Sequence, residues 1–206
     1  HMQLKSKITA SLAALIAASF PAVADDYAGN APKWDLVEVG YVEADFDDDD
    51  ASPSGFNASF LKSLGENFFL TGRYREVSED ETISGITVDV ELSQVSVGAG
   101  YKYGVTKNTD VFAQITYENL ELKASAQGES GSEDENGFGA AVGVRSMVID
   151  QLELSAQIGY LDIADESETA FSASAYYYFT NNVAIGATYE MWDGVDFMGA
   201  NLRYAF

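Results

Sequence analysis

The sequence contains no cysteine. That excludes a disulfide framework and any cysteine-ligated metal centre. Its single histidine is His1, which stands before Met2 and reads as a cloning remnant. The rest of the chain supplies no imidazole, so a histidine-activated nucleophile and the commonest metal ligand are both missing. Bases are scarce: 11 Lys and Arg face 33 Asp and Glu. This balance provides neither the basic footprint of a nucleic-acid binder nor a basic patch for an anionic membrane surface. Beyond residue 24 no apolar run is long enough for a transmembrane helix.

The first residues form a segment of their own. Lys5 and Lys7 precede a small and apolar run over 8–18, and Ala22-Val23-Ala24 fits a signal-peptidase site. Residues 1–24 therefore read as remnant plus secretory leader, and 25–33 as a short periplasmic tether. Removing Lys5 and Lys7 leaves 9 bases against 33 acids, a net charge of −24 for the mature chain.

What the remainder does have is alternation. Counting back from the end, Phe206, Tyr204, Leu202, Ala200 and Met198 are apolar, while Ala205, Arg203, Asn201 and Gly199 are small or polar. A strand presents such alternate residues on opposite faces. The same period runs through Val37, Val39, Tyr41; Leu70, Gly72, Tyr74; Val111, Ala113, Ile115, Tyr117; and Val183, Ile185, Ala187. Ten such segments can be counted, with eight as the alternative. In the fourth, the apolar phase slips near Ser93-Gln94, which predicts a bulge. Acid-rich connections are expected at 47–55, 79–85, 125–136 and 165–168, with a fifth connection on the same side at 192–194. Short neutral turns are expected at 65–67, 105–109, 149–151 and 180–182.

Long connections alternating with short ones, over an even number of strands, fit an all-β, antiparallel, up-and-down transmembrane β-barrel. Trp34, Phe68, Tyr101, Tyr103, Phe179 and Phe206 fall near one set of strand ends. Tyr41, Phe56, Tyr74, Tyr117, Phe138, Tyr160, Phe171 and Trp192 fall near the other. Two aromatic bands are what two membrane interfaces select. Residues 34–206 resemble the small OmpA- and OmpX-like outer-membrane barrels. Leu202, Tyr204 and the last residue, Phe206, resemble the carboxy-terminal signal that the barrel-assembly machinery reads. The resemblance implies a bacterial outer-membrane location with periplasmic termini and outward acidic loops. Its implied partners are outer-membrane lipid, lipopolysaccharide and, during biogenesis, that machinery. Nucleic acid is excluded and a monomer is expected. Barrel enzymes of the outer membrane rely on a histidine, so the resemblance implies no enzyme here.

The phase opposite the apolar one holds Glu38, Arg73, Arg75, Lys102, Glu118, Arg145, Glu153, Glu190 and Arg203, including all four arginines. A lipid-facing arginine costs about 2–4 kcal/mol at the midplane, so these side chains are expected to face inward as an Arg/Glu network. Such a network either plugs a narrow lumen or lines a constriction for small solutes. The acid runs lack the spacing of a calcium loop and read as solvated connections. No metal or cofactor is expected. The implied role is structural or surface interaction, with a narrow solute channel as the alternative.

Overall fold

The structure, a computed structural model, describes residues 31–46, 52–83, 86–126, 129–164, 166–192 and 194–206. The leader over 1–24, most of the tether and the acids at 47–50 lie outside the described residues. Ten strands follow one another: β1 (Leu36–Phe46), β2 (Ser54–Leu64), β3 (Phe68–Ile83), β4 (Ile86–Gly104), β5 (Thr109–Ala126), β6 (Glu129–Ile149), β7 (Leu152–Ile163), β8 (Glu166–Tyr178), β9 (Val183–Trp192) and β10 (Val195–Ala205). Each pairs antiparallel with its chain neighbours, and β1 pairs with β10 to close the barrel. Closure leaves the ring of ten strands without an open edge where it crosses the membrane, and only the ends of the longer hairpins extend past their neighbours. Leu36 opposes Ala205, so both ends of the barrel segment lie on one side. Gly65, with φ of 70°, makes the β2–β3 turn possible.

The outer face is apolar and exposed. Val39, Val97, Ile115, Val142, Ile185 and Leu202 are each about half exposed or more. Phe68 packs edge-on against Tyr101 at one rim, with centroids 5.3 Å apart. Tyr117 packs edge-on against Phe138 at the other, at 5.7 Å. Tyr204 and Phe206 stack at 6.4 Å on the side of the termini. An apolar belt between aromatic girdles is stable only with hydrocarbon as its solvent.

Four expectations need correction. The segment 125–136 is not a loop. Its ladder continues through Lys123↔Ser132, Ala124↔Gly131 and Ala126↔Glu129, making a hairpin that rises well beyond the girdle. Likewise β3 and β4 stay paired out to Ile83↔Ile86. Pairing satisfies backbone donors and acceptors whatever the side chains, so a Gly/Ser/Glu composition does not prevent it. The bulge at Ser93-Gln94 is absent, because Arg75↔Gln94 and Glu76↔Ser93 keep one register. The described ladders shift only between Met147 and Ile149. The phase slips at Ser93-Gln94 because the inner face itself turns apolar above the girdle, where Leu92 packs inward. Finally, Trp34 and Trp192 are not girdle residues. Both lie inside the barrel, 4% and 8% exposed.

Apolar side chains thus gather inside the barrel at both ends. Leu36, Met147, Tyr176, Tyr178, Ala184 and Ala205 form a buried group on the side of the termini. Beside them Trp34 packs 4.6 Å from Phe69 and 5.5 Å from Phe112. At the opposite end Val42, Ala44, Val77, Trp192 and Phe197 form a second group. Trp192 and Phe197 stack there at 6.0 Å.

Candidate functional site: the lumen

Between these apolar groups the inner face carries two charge clusters. Arg73 Nη1 reaches Glu190 Oε2 at 2.5 Å, and Arg75 Nη2 reaches Glu190 Oε1 at 3.1 Å. Arg75 also donates to Gln94 Oε1. Gln94 Nε2 donates in turn to Glu118 Oε2 at 3.0 Å. Ser96 and Thr116 donate to Glu118 Oε1 at 2.8 and 2.6 Å. Trp192 Nε1 donates to Glu190 Oε1 at 3.0 Å, and the Arg75 guanidinium lies 3.6 Å from the Phe197 ring. This cluster is therefore tied directly to the apolar group above it.

The second cluster centres on Glu153, which is 1% exposed. Its Oε1 accepts from Arg145 Nη2 at 2.7 Å and from Arg203 Nη1 at 3.0 Å. Arg203 Nη2 also pairs with Glu38 Oε1 at 2.6 Å. Glu38 Oε2 accepts from Ser59 at 2.8 Å. The Arg203 guanidinium covers Tyr176 at 3.4 Å, and that of Arg145 covers Trp34 at 4.5 Å. Trp34 Nε1 donates to Asp110 Oδ2 at 2.7 Å.

Each cluster contains two arginines and two glutamates, so each is neutral. Pairing and hydrogen bonding offset the desolvation of groups this deep. Eight of the nine residues singled out from the sequence come together here. Lys102 stands apart, at the rim, 5.2 Å from the Trp34 ring and donating to Ser63 Oγ at 3.4 Å. Trp34, Gln94, Asp110, Tyr176, Tyr178, Trp192 and Phe197 were missed as lumen residues. For the tryptophans a signal existed: Trp34 and Trp192 share the even phase of Glu38 and Glu190, not that of the outward aliphatics.

A cavity of about 270 Å³ lies within the barrel, with Asn57, Thr71, Gln114, Gln157, Ser172 and Asn201 among its lining. Such neutral polar groups can hold water. Among the described residues, no three His, Asp or Glu side chains converge as metal ligands.

Residues 10–190 match the family model of the outer membrane protein beta-barrel domain. The chain belongs to that family. Its place is accordingly the bacterial outer membrane. No curated protein matches it. Among solved structures, the translocator domain of the autotransporter NalP from Neisseria meningitidis superposes with a TM-score of 0.54, at 12% identity over 99% of each chain. That likeness is one of fold. The attachment invasion locus protein Ail of Yersinia pestis, solved with the heparin analogue sucrose octasulfate, gives 0.48 at 16% identity, covering 82% of this chain and 97% of its own. OprG from Pseudomonas aeruginosa gives 0.48 at 13%, covering 88% of this chain and 100% of its own.

Proposed function

We propose that this outer-membrane barrel is occluded and non-catalytic, and that it acts at the cell surface through its acidic hairpins. The carrying observation is that apolar side chains occupy both ends of the lumen, around Trp34 and around Trp192. An ion entering either end would meet a desolvating surface first. In this reading the two neutral Arg/Glu clusters hold the barrel wall together from within, and metal or substrate plays no part in them. In the same reading, which rests on the leader expected over 1–24 and on the even strand number, the termini face the periplasm and the hairpins ending β3, β5 and β7 face outward. Planar-bilayer recording of the refolded barrel tests occlusion: a silent baseline is expected, and steady unitary openings would overturn it.

A second reading, a narrow channel for small solutes, is favoured by the polar cavity between the plugs. It requires the Trp192–Phe197 stack to swing aside. Openings in the wild-type barrel that a Trp192→Ala variant prolongs would establish it.

A further inference from the structure

Beyond the outer girdle the inner walls of two hairpins carry one cross-strand code. In β5–β6, Leu120 opposes Glu135 and Leu122 opposes Glu133. In β7–β8, Leu161 opposes Glu168 and Ile163 opposes Glu166. All eight residues, with Leu92 and Trp192, line a single cleft of about 280 Å³ at this end of the barrel. Leu92, Leu120 and Leu161 pack against the buried group that contains Trp192, so the cleft has an apolar floor.

This cleft is apolar below and anionic around. Lys123 is the single base beyond the girdle among the described residues, and it points the other way. On the outer face it pairs with Glu91 at 3.3 Å and Glu121 at 3.2 Å. The described ion pairs leave Glu133, Glu135, Glu166 and Glu168 without a cationic partner. Nor do these acids converge as a metal site. Acids facing one another across leucines, rather than gathered at a point, suit an extended organic cation better than a compact ion.

We infer that the cleft binds a cationic amphiphile, with its apolar chain on Leu92, Leu120, Leu161 and Trp192 and its cationic nitrogen among the four glutamates. The volume falls near the lower end of small-molecule sites, about 300–1,000 Å³, which limits the buried part to a short chain. Charge complementarity excludes anionic amphiphiles of the same length, lipid A phosphates included. This goes beyond the surface-interaction reading and holds for either insertion direction.

Phosphatidylcholine nanodiscs expose both ends of the barrel and present no competing charge. The probe is octyltrimethylammonium, followed through tryptophan fluorescence. Both tryptophans of the chain lie inside the barrel, so partitioning into lipid does not reach them. Saturable binding is expected for the probe, with tetramethylammonium and octanesulfonate each at least tenfold weaker. Equal binding of octanesulfonate would remove the role of the acids, and equal binding of tetramethylammonium that of the apolar floor. Changing Glu133, Glu135, Glu166 and Glu168 together to Gln should weaken the probe about tenfold or more. These side chains are exposed, so folding should persist, which the heat-modifiable band on gels verifies. Unchanged affinity in the folded quadruple variant overturns the inference. The fluorescence response should vanish in Trp192→Phe; its survival would put the probe at Trp34 and overturn it as well.

Discussion

Glu38 and Arg203 stand directly opposite one another across the β1–β10 seam, and their side chains pair at 2.6 Å. The contact joins the first strand to the last, so it forms only when the barrel closes. Arg203 simultaneously holds Glu153, three strands away around the wall. Changing Arg203 to Ala leaves Glu38 without its cation and Glu153 with Arg145 alone. Removing one partner of a buried pair costs about 3–5 kcal/mol. Glu38→Gln should cost less, about 1–3 kcal/mol, because Arg203 keeps Glu153 and the amide can still accept a hydrogen bond. Urea titration of folding into lipid vesicles measures both. Equal losses would show that the seam pair, and not the Glu153 cluster, dominates.

Glu190 provides the complementary case. It neutralises Arg73 and Arg75 together, and both lie on one strand two residues apart. Glu190→Gln leaves two guanidiniums facing each other with no carboxylate closer than Glu118. The expected loss is again about 3–5 kcal/mol. Adding Arg75→Met to Glu190→Gln should recover part of it, since a linear apolar side chain replaces an uncompensated charge and can still cover Phe197. The same urea titration decides. A double variant no more stable than Glu190→Gln alone would mean that packing, not charge, sets the cost.

The barrel and its strand order were legible because lipid imposes one rule on every strand: alternate residues must be apolar. Arg73, Arg75, Arg145 and Arg203 share one phase for that reason. Two features were hidden. Above the girdle water replaces lipid outside, the rule lapses, and Leu92, Leu120 and Leu161 turn inward while Glu91 and Glu121 turn out. That inversion looked like a bulge at Ser93-Gln94. The hairpin through Gly131 was hidden because composition reports what a segment can bury, not whether its backbone is paired. Individual partners such as Gln94 with Glu118 depend on register across β4 and β5, which alternation alone does not set.

The β3–β4 hairpin should respond to pH. Asp80 opposes Asp89 across the ladder, beyond the outer girdle. A hydrogen bond from one carboxyl to the other, together with their mutual repulsion, raises the Asp80 carboxyl above its ordinary value of 3.8. The folded hairpin therefore holds that proton more tightly than the open one. Its contribution is fully present below the ordinary value and is lost as pH rises through the raised one. Hydrogen exchange of amides near Asp80, corrected for intrinsic rates, should show protection falling from acid towards neutral pH. Asp89→Asn removes the repulsion and should flatten that dependence. Retention of the full slope in Asp89→Asn would assign it to other acids.

The orientation of the barrel can be read with one atom. The chain has no cysteine, so a single introduced thiol is unambiguous. Gly131 lies on the β5–β6 hairpin, and a side chain built there meets nothing within 4 Å. Gly131→Cys should therefore fold and expose its sulfur. Lys107 sits in the opposite turn, between β4 and β5, and is exposed. In the proposed orientation this turn faces the periplasm. A membrane-impermeant maleimide added to intact cells should label Gly131→Cys and spare Lys107→Cys. Rupturing the outer membrane should then make Lys107→Cys reactive too, which shows that its thiol was available and only shielded. The reverse pattern would invert the barrel. It would also turn the cleft of Leu120, Leu161 and Trp192 towards the periplasm, where an occupant would have to be sought instead.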